Sequence, residues 1–221
     1  MKEYALYYSR LGLAVFPIKP KSKQPLTEHG LKDASKEPEQ IESWWNRWPV
    51  ANIGIATGAV SGGLVVIDLD VDRDKGIDGR VTLREWEAEH EKLPDNTWLA
   101  ITGRGGYHYF YHDTSTVRNR TGIYGGIDIR GDGGYIVAPP SVHPNGNTYE
   151  WEQDPMLYPL AEANGAVFDF LVGPASREPE PVSFDLPEQI PDGQRTTAMV
   201  KLVCSQQAKG LSDEAIRAAV K

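Results

Sequence analysis

Three short stretches of this chain hold residues whose types and spacing can do chemistry. The first is Leu64-Val65-Val66-Ile67-Asp68-Leu69-Asp70, an apolar run that ends in two acids. It is short and β-branched, the composition of a buried strand. Residues two apart in a strand share a side, so Asp68 and Asp70 project together near its end. Adjacent carboxylates repel and resist burial unless neutralised. A divalent cation does this, and hard oxygen ligands suit magnesium or manganese. The plainer alternative is a solvated strand end running into an acidic turn, since Asp72 and Asp74 follow.

The second stretch is Gly103-Arg104-Gly105-Gly106-Tyr107-His108. Glycines between strands let a backbone approach a ligand closely, and exposed amides can cradle phosphate. His108 opens a run of alternating tyrosine and phenylalanine, where a histidine is either a half-buried structural residue or a ligand-binding one. The third stretch is Gly126-Ile127-Asp128-Ile129-Arg130. Asp128 and Arg130 share a strand face by the same period-two rule. They form either a plain ion pair or a metal ligand beside a triphosphate-binding cation. Downstream, Pro139-Pro140-Ser141-Val142-His143-Pro144-Asn145-Gly146 adds a hydroxyl and an imidazole in a rigid turn.

The elements that must position these residues are legible from periodicity. Tyr4, Tyr7, Tyr8 and Leu11 recur at helical spacing, with Gly12 at the expected stop. Residues 13–18 read as a strand and 39–48 as a helix bearing Ile41, Trp44, Trp45 and Trp48, an aromatic stripe suited to core packing rather than to base stacking. Residues 52–56 and 64–70 read as strands, 81–93 as a helix, and 97–102 and 107–111 as strands flanking the glycine turn. Residues 126–130 and 135–138 read as two more strands, and Gly131-Asp132-Gly133-Gly134 between them predicts a hairpin. The proline-rich stretch 174–191 reads as a linker. Residues 196–221 turn helical, with Leu202, Val203, Leu211 and Ile216 among the apolar positions, and look like the opening of a helical domain.

Composition bounds the rest. The chain has 221 residues, 40% hydrophobic and 24% charged, enough for one sizeable core and an appendage. A single cysteine, Cys204, leaves no internal disulfide framework and no cysteine-rich zinc site. The N-terminus lacks a signal-peptide pattern, and no apolar stretch reaches membrane-spanning length, so a cytoplasmic location is expected. The net charge of −8 argues against a protein that coats nucleic acid, though not against one that grips few phosphates with help from metal ions. Two local basic clusters, Lys19-Lys21-Lys23 and Arg118-Arg120-Arg130, read by themselves as solvated surface.

Taken in order, the motifs resemble the bifunctional primase/polymerase (Prim-Pol) domain of the archaeo-eukaryotic primase superfamily. The resemblance runs over residues 4 to 160. It includes Trp44-Trp45-Asn46-Arg47-Trp48-Pro49 leading into Asn52-Ile53-Gly54-Ile55-Ala56-Thr57-Gly58, then the Asp68/Asp70 strand, Thr102 to His108, Gly126 to Arg130 and Gly134 to Gly146. The stretch Asp192-Gly193-Gln194-Arg195-Thr196 resembles the start of the helical domain that follows the catalytic unit in many such proteins. The resemblance implies an α+β fold, with an antiparallel or mixed palm-like (RRM-like) sheet backed by helices and a helical C-terminal appendage. It implies a catalytic domain at 1–173, a linker at 174–191 and a truncated helical domain at 192–221.

It also implies roles. Asp68, Asp70 and Asp128 would bind two magnesium or manganese ions, with no zinc expected. His108, Arg104, Gly105, Gly106 and Arg130 would hold a nucleoside triphosphate, with Ser141 and His143 as secondary contacts. Many relatives carry a serine two before the histidine; this chain has Gly106. The implied partners are a single-stranded or primed DNA template, deoxy- or ribonucleoside triphosphates, and a helicase beyond residue 221, in replication of the phage, plasmid or mobile-element kind. Three other readings compete. Asp68-Leu69-Asp70 also resembles haloacid dehalogenase phosphatases, but Asp72 and the lack of alternating βα units fit them poorly. A calcium loop at Asp70, Asp72 and Asp74 lacks its glycine and its closing glutamate, having Lys75 and Val81 there. A non-catalytic nucleic-acid-binding module would have no need of the full set Asp68, Asp70, His108 and Asp128.

Overall fold

Alternation along residues 64–69 governs the layout. In the computed structural model, which describes residues 1–113 and 117–173, this run becomes a strand with neighbours on both edges and packed layers on both faces. The helices among the described residues are α1 (Lys2–Arg10), α2 (Pro38–Arg47), α3 (Gly79–Glu89) and α4 (Ala166–Val172). The first strands are β1 (Val15–Ile18), β2 (Asn52–Ala56), β3 (Leu64–Leu69), β4 (Val71–Asp72), β5 (Ile77–Asp78) and β6 (Leu99–Ile101). They are followed by β7 (Tyr107–His112), β8 (Arg120–Tyr124), β9 (Ile127–Arg130), β10 (Tyr135–Ala138), β11 (Glu150–Gln153) and β12 (Ala161–Glu162).

The larger sheet runs β11-β6-β7-β3-β9-β8, antiparallel throughout, with β12 added parallel to β7. A smaller antiparallel sheet runs β1-β2-β10, and β4 and β5 form a short hairpin of their own. The fold is therefore α+β, with antiparallel sheets backed by helices. The two faces of β3 go to different cores. Val65, Ile67 and Leu69 pack with Leu83 of α3 and with Val167, Phe170 and Leu171 of α4. Leu64 and Val66 face the other way, onto a core shared with α1, α2 and the small sheet. Burying such aliphatic side chains contributes about 1.5–3 kcal/mol each, which holds the alternation in register. Asp68 lies on this second face, where the apolar filling stops.

Two expectations fail, the first for a nonlocal reason and the second for a local one. The run Gly131–Gly134 does not close a hairpin, because β9 pairs with β3 whereas β10 pairs with β2 of the small sheet. The segment instead crosses between sheets and is tied to β2's end. Thr57 Oγ1 donates to Gly131 O at 2.6 Å, and the Ala59 amide donates to Asp132 Oδ1 at 3.2 Å. The hairpin lies one step earlier, where β8 turns through Gly125-Gly126 into β9 with Tyr124 opposite Ile127. The helix expected over 81–93 begins earlier, because Asp78 caps it by accepting the Arg80 amide at 3.0 Å, and it stops at Glu89. The expected linker and terminal helical segment lie outside the described residues. No helix among the described residues is long and apolar enough to cross a membrane.

Candidate active site

Strand register builds the site. Asp68 of β3 stands directly opposite His108 of β7 on one side and Asp128 of β9 on the other. Three adjacent strands thus place His108, Asp68 and Asp128 in one cross-strand row. Asp70 lies just past the end of β3, in front of that row, and its backbone is held there. The Asp70 amide donates to Gly126 O at 2.8 Å and its carbonyl accepts from the Gly79 amide at 2.8 Å. Arg130, paired across from Val66, lies behind the row.

The carboxylates converge. One oxygen from each of Asp68, Asp70 and Asp128 lies within 4.8 Å of the other two. Opposite ligands across one magnesium ion are ~4.2 Å apart, so the set is close to the span of a cation site, and its all-oxygen chemistry suits a hard ion. The three differ in their partners. Asp68 is 5% exposed; Oδ1 lies 3.2 Å from His108 Nε2, and Oδ2 accepts from Arg130 Nη2 at 3.0 Å and Nε at 3.2 Å. Asp128 Oδ2 accepts from Arg130 Nη2 at 2.7 Å, and Oδ1 from the Gly122 amide at 2.7 Å. The carboxylate of Asp70, partly exposed, has neither a hydrogen bond nor an ion pair among the described residues.

Electrostatics follow this arrangement. Burial alone would raise the Asp68 carboxyl, but His108, Arg130 and Lys23 outweigh it and hold the acid well below the ordinary carboxylate range. Asp70 goes the other way. Burial, then the charges of Asp68 and Asp128, push it up, and Lys23 and Arg130 offset this only in part. A carboxylate left unneutralised beside two others is where a cation gains most.

In front of the row is a cavity of about 380 Å³ whose walls include Asp68, Asp70, Arg104, His108, His143 and Lys23. It adjoins an open groove of about 950 Å³ between the β4–β5 hairpin and residues 145–148. Arg104, in the wall of both, is half exposed and ion-paired with Asp72 at 3.0 Å. His143 is buried, with Nδ1 2.8 Å from Asn145 Oδ1; burial pushes its imidazole down, and Lys23 and Arg104 add to that. The amides of Asn145 and Asn147 both donate to the Gly103 carbonyl at 2.8 Å, joining the His143 turn to the glycine turn.

Three of the expected nucleotide contacts are placed differently. Ser141 is fully buried, and its Oγ accepts from the Ile53 amide at 2.9 Å, so the hydroxyl serves the framework rather than the cavity. The amides of Gly105 and Gly106, expected to be open to phosphate, are already spent inside the turn. Gly105 N–H donates to Thr102 O at 2.8 Å and Gly106 N–H to Thr102 Oγ1 at 3.1 Å. Gly106 is glycine for a steric reason, because a Cβ there would run into the Leu69 carbonyl of β3. That close approach also explains why the serine of related motifs has no room here.

Two residues outside the sequence-derived set line the same cavity. Lys23 hangs from the loop after β1, whose backbone is pinned where Tyr135 Oη donates to Lys23 O at 2.9 Å. Tyr149 packs its ring between the two histidines, with centroids 6.0 Å from His108 and 5.9 Å from His143. No local signal marks either one; Lys23 looks like one of three alternating surface lysines, and Tyr149 like a strand aromatic.

The large sheet also excludes the phosphatase alternative as a fold, since β3 lies antiparallel to both neighbours rather than in a parallel, doubly wound sheet. No curated protein matches the chain. The family model for "Bifunctional DNA primase/polymerase, N-terminal" matches residues 5–166, which hold the whole cross-strand row, the glycine turn and the His143 turn. The chain belongs to the Prim-Pol family.

Proposed function

We propose that this chain performs metal-dependent, template-directed nucleotidyl transfer, extending or starting DNA chains from nucleoside triphosphates. The observation that carries this reading is the convergence of Asp68, Asp70 and Asp128, the first two in the wall of a cavity that Lys23 and Arg104 also line. Magnesium or manganese bound there would lower the pKa of an attacking 3′-hydroxyl and offset charge on the departing pyrophosphate. The three carboxylates would hold these ions, Asp70 being the one without a competing partner. His108, which lines the cavity, would be oriented through Nε2 by Asp68 and stand beside the nucleotide. Arg104 and Arg130 would take the triphosphate, with His143 as a secondary contact. Positioning and charge neutralisation supply the acceleration in such chemistry.

The setting we propose is cytoplasmic replication of a phage, plasmid or mobile element, with single-stranded or primed DNA as template and a helicase as partner. Residues 1–173 would be the catalytic unit, 174–191 a linker, and 192–221 the start of a helical domain that aids priming. The decisive experiment is nucleotide incorporation on primed and unprimed templates with magnesium or manganese. Incorporation that needs the cation and is lost in Asp70→Ala is the expected result; cation-independent turnover, or full activity in that variant, would sink the reading. A chain ending at Gly173 should keep primer extension and lose priming on unprimed template.

A further inference from the structure

Arg130 holds an unusual position for a residue expected to bind phosphate: its guanidinium is occupied by the enzyme's own carboxylates. Nη2 alone reaches both Asp128 Oδ2 at 2.7 Å and Asp68 Oδ2 at 3.0 Å, and Nε adds a contact to Asp68 at 3.2 Å. With His108 on Asp68 Oδ1 and the Gly122 amide on Asp128 Oδ1, every oxygen of these two acids faces a donor. A cation taking ligands from Asp68 and Asp128 therefore meets a donor on whichever oxygen it takes, and Arg130 holds one oxygen of each acid. The arginine has somewhere to go. Its side chain is 22% exposed, and it lines a second cavity of about 180 Å³ that shares Lys23, Asp68 and His108 with the larger one.

We propose that Arg130 is an exchangeable counter-ion: it neutralises Asp68 and Asp128 while the site is unloaded, and passes to the phosphates of the nucleoside triphosphate when a divalent cation takes those oxygens. Cation and nucleotide binding are then coupled through one side chain, and by linkage each strengthens the other by the same factor. The proposal rests on the nucleotidyl-transfer reading of the site. Three features suit arginine to the exchange. The guanidinium is weakly hydrated, so moving between partners costs less than for an ammonium, and its fork fits a phosphate as well as a carboxylate. It sits behind the carboxylate row rather than in front, so its departure does not block the Asp70 side. The neighbouring cation, Lys23, has no ion-pair partner among the described residues and takes no part in the exchange.

The test is direct binding with the full chain, without turnover. Manganese alone is titrated by calorimetry into the wild type, Arg130→Gln and Arg130→Ala, and dATP is then titrated with and without manganese. Arg130→Gln keeps hydrogen-bonding capacity and most of the volume, so it reports on charge if the alanine variant fails to fold. Removing a like charge about 5 Å from a divalent ion is worth at least about tenfold even with water-like screening. Both variants should therefore bind manganese at least about tenfold more tightly. They should bind dATP at least about tenfold more weakly, with most of the manganese-dependent gain in dATP affinity gone. Manganese affinity equal to or below that of the wild type in a folded variant overturns the exchange and leaves the functional reading standing. A wild type that binds no manganese at all overturns both.

Discussion

The two walls of the cavity are built by opposite means. The acidic wall stands on sheet: His108, Asp68 and Asp128 sit on three paired strands, so hydrogen-bond register sets their spacing. The cationic wall stands on connections: Lys23 on the loop after β1 and Arg104 on the glycine turn, with the imidazole of His143 beside them on the turn after β10. A metal-ligand set needs oxygens placed to a fraction of an ångström, and a sheet provides that. In the proposed reaction a triphosphate would arrive, react and leave as pyrophosphate, and side chains on turns could follow it. Asp68 and Asp128 also have internal partners, whereas Arg104 is half exposed and Lys23 has no ion pair among the described residues. Rigidity thus goes with the group that stays and adaptability with the group that turns over.

Several variants would break or sharpen this contrast. The largest effect should come from Asp70→Ala, with incorporation falling by about a thousandfold or more while the melting temperature holds or rises, since the carboxylate has no partner to lose. A fall in melting temperature of several degrees would show instead that Asp70 holds the fold together. Asp68→Ala should remove activity and also destabilise by about 3–5 kcal/mol, because it strands Arg130 and His108 in a buried setting. Chemical denaturation of the two acid variants side by side separates a residue that only serves the site from one that also anchors it.

On the turn side, Gly106→Ala should cost about 1–3 kcal/mol, since the new methyl meets the Leu69 carbonyl and forces the turn off β3. An alanine variant as stable as the wild type would mean the turn is looser than its contacts suggest. Arg104→Ala should raise the KM for nucleotide about tenfold with a smaller change in kcat, and stability should barely move because an exposed ion pair contributes little. The smallest effect should be a gain. The folded-state pKa of Asp70 is raised, so its ionisation opposes folding above the ordinary carboxylate range, and the penalty fades as pH falls through the raised value. Asp70→Asn should melt a few degrees higher than wild type at pH 8, with the difference shrinking towards pH 4. A gain that persists at pH 4 would point to packing rather than charge.

The same division decides what the sequence revealed. Period-two alternation needs only local information, so residues 64–70 announced both the strand and the shared side of Asp68 and Asp70. The likeness of Ile127-Asp128 to a known motif brought in the third acid without any knowledge of the register. Partner choice is nonlocal, and there local reading failed. Gly131–Gly134 marks a change of direction, but nothing in four residues says that β10 will join β2 rather than β9. Ser141 looked like a site hydroxyl because its bond to the Ile53 amide depends on a strand far away in the chain. In the sequence Lys23 has the same surroundings as Lys19 and Lys21; a distant residue, Tyr135, holds its backbone beside the cavity.

The Gly103 carbonyl has a mechanical consequence. It accepts amides from both Asn145 and Asn147, which sit on the turn leading from β10 of the small sheet into β11 of the large one, while Gly103 lies in the turn between β6 and β7. The β10 end of that connection is firm, because Asn52 of β2 exchanges two hydrogen bonds with Val142, at 2.7 and 2.9 Å. One oxygen therefore ties the β10–β11 connection to the glycine turn, with both of its lone pairs spent. Moving that connection away from the glycine turn breaks two hydrogen bonds at once and leaves a carbonyl stranded, whereas rotating Arg104 or Lys23 breaks at most one exposed ion pair among the described residues. The cheap motions at this site are those of its cationic side chains, while the two turns that line the open groove stay tied to each other.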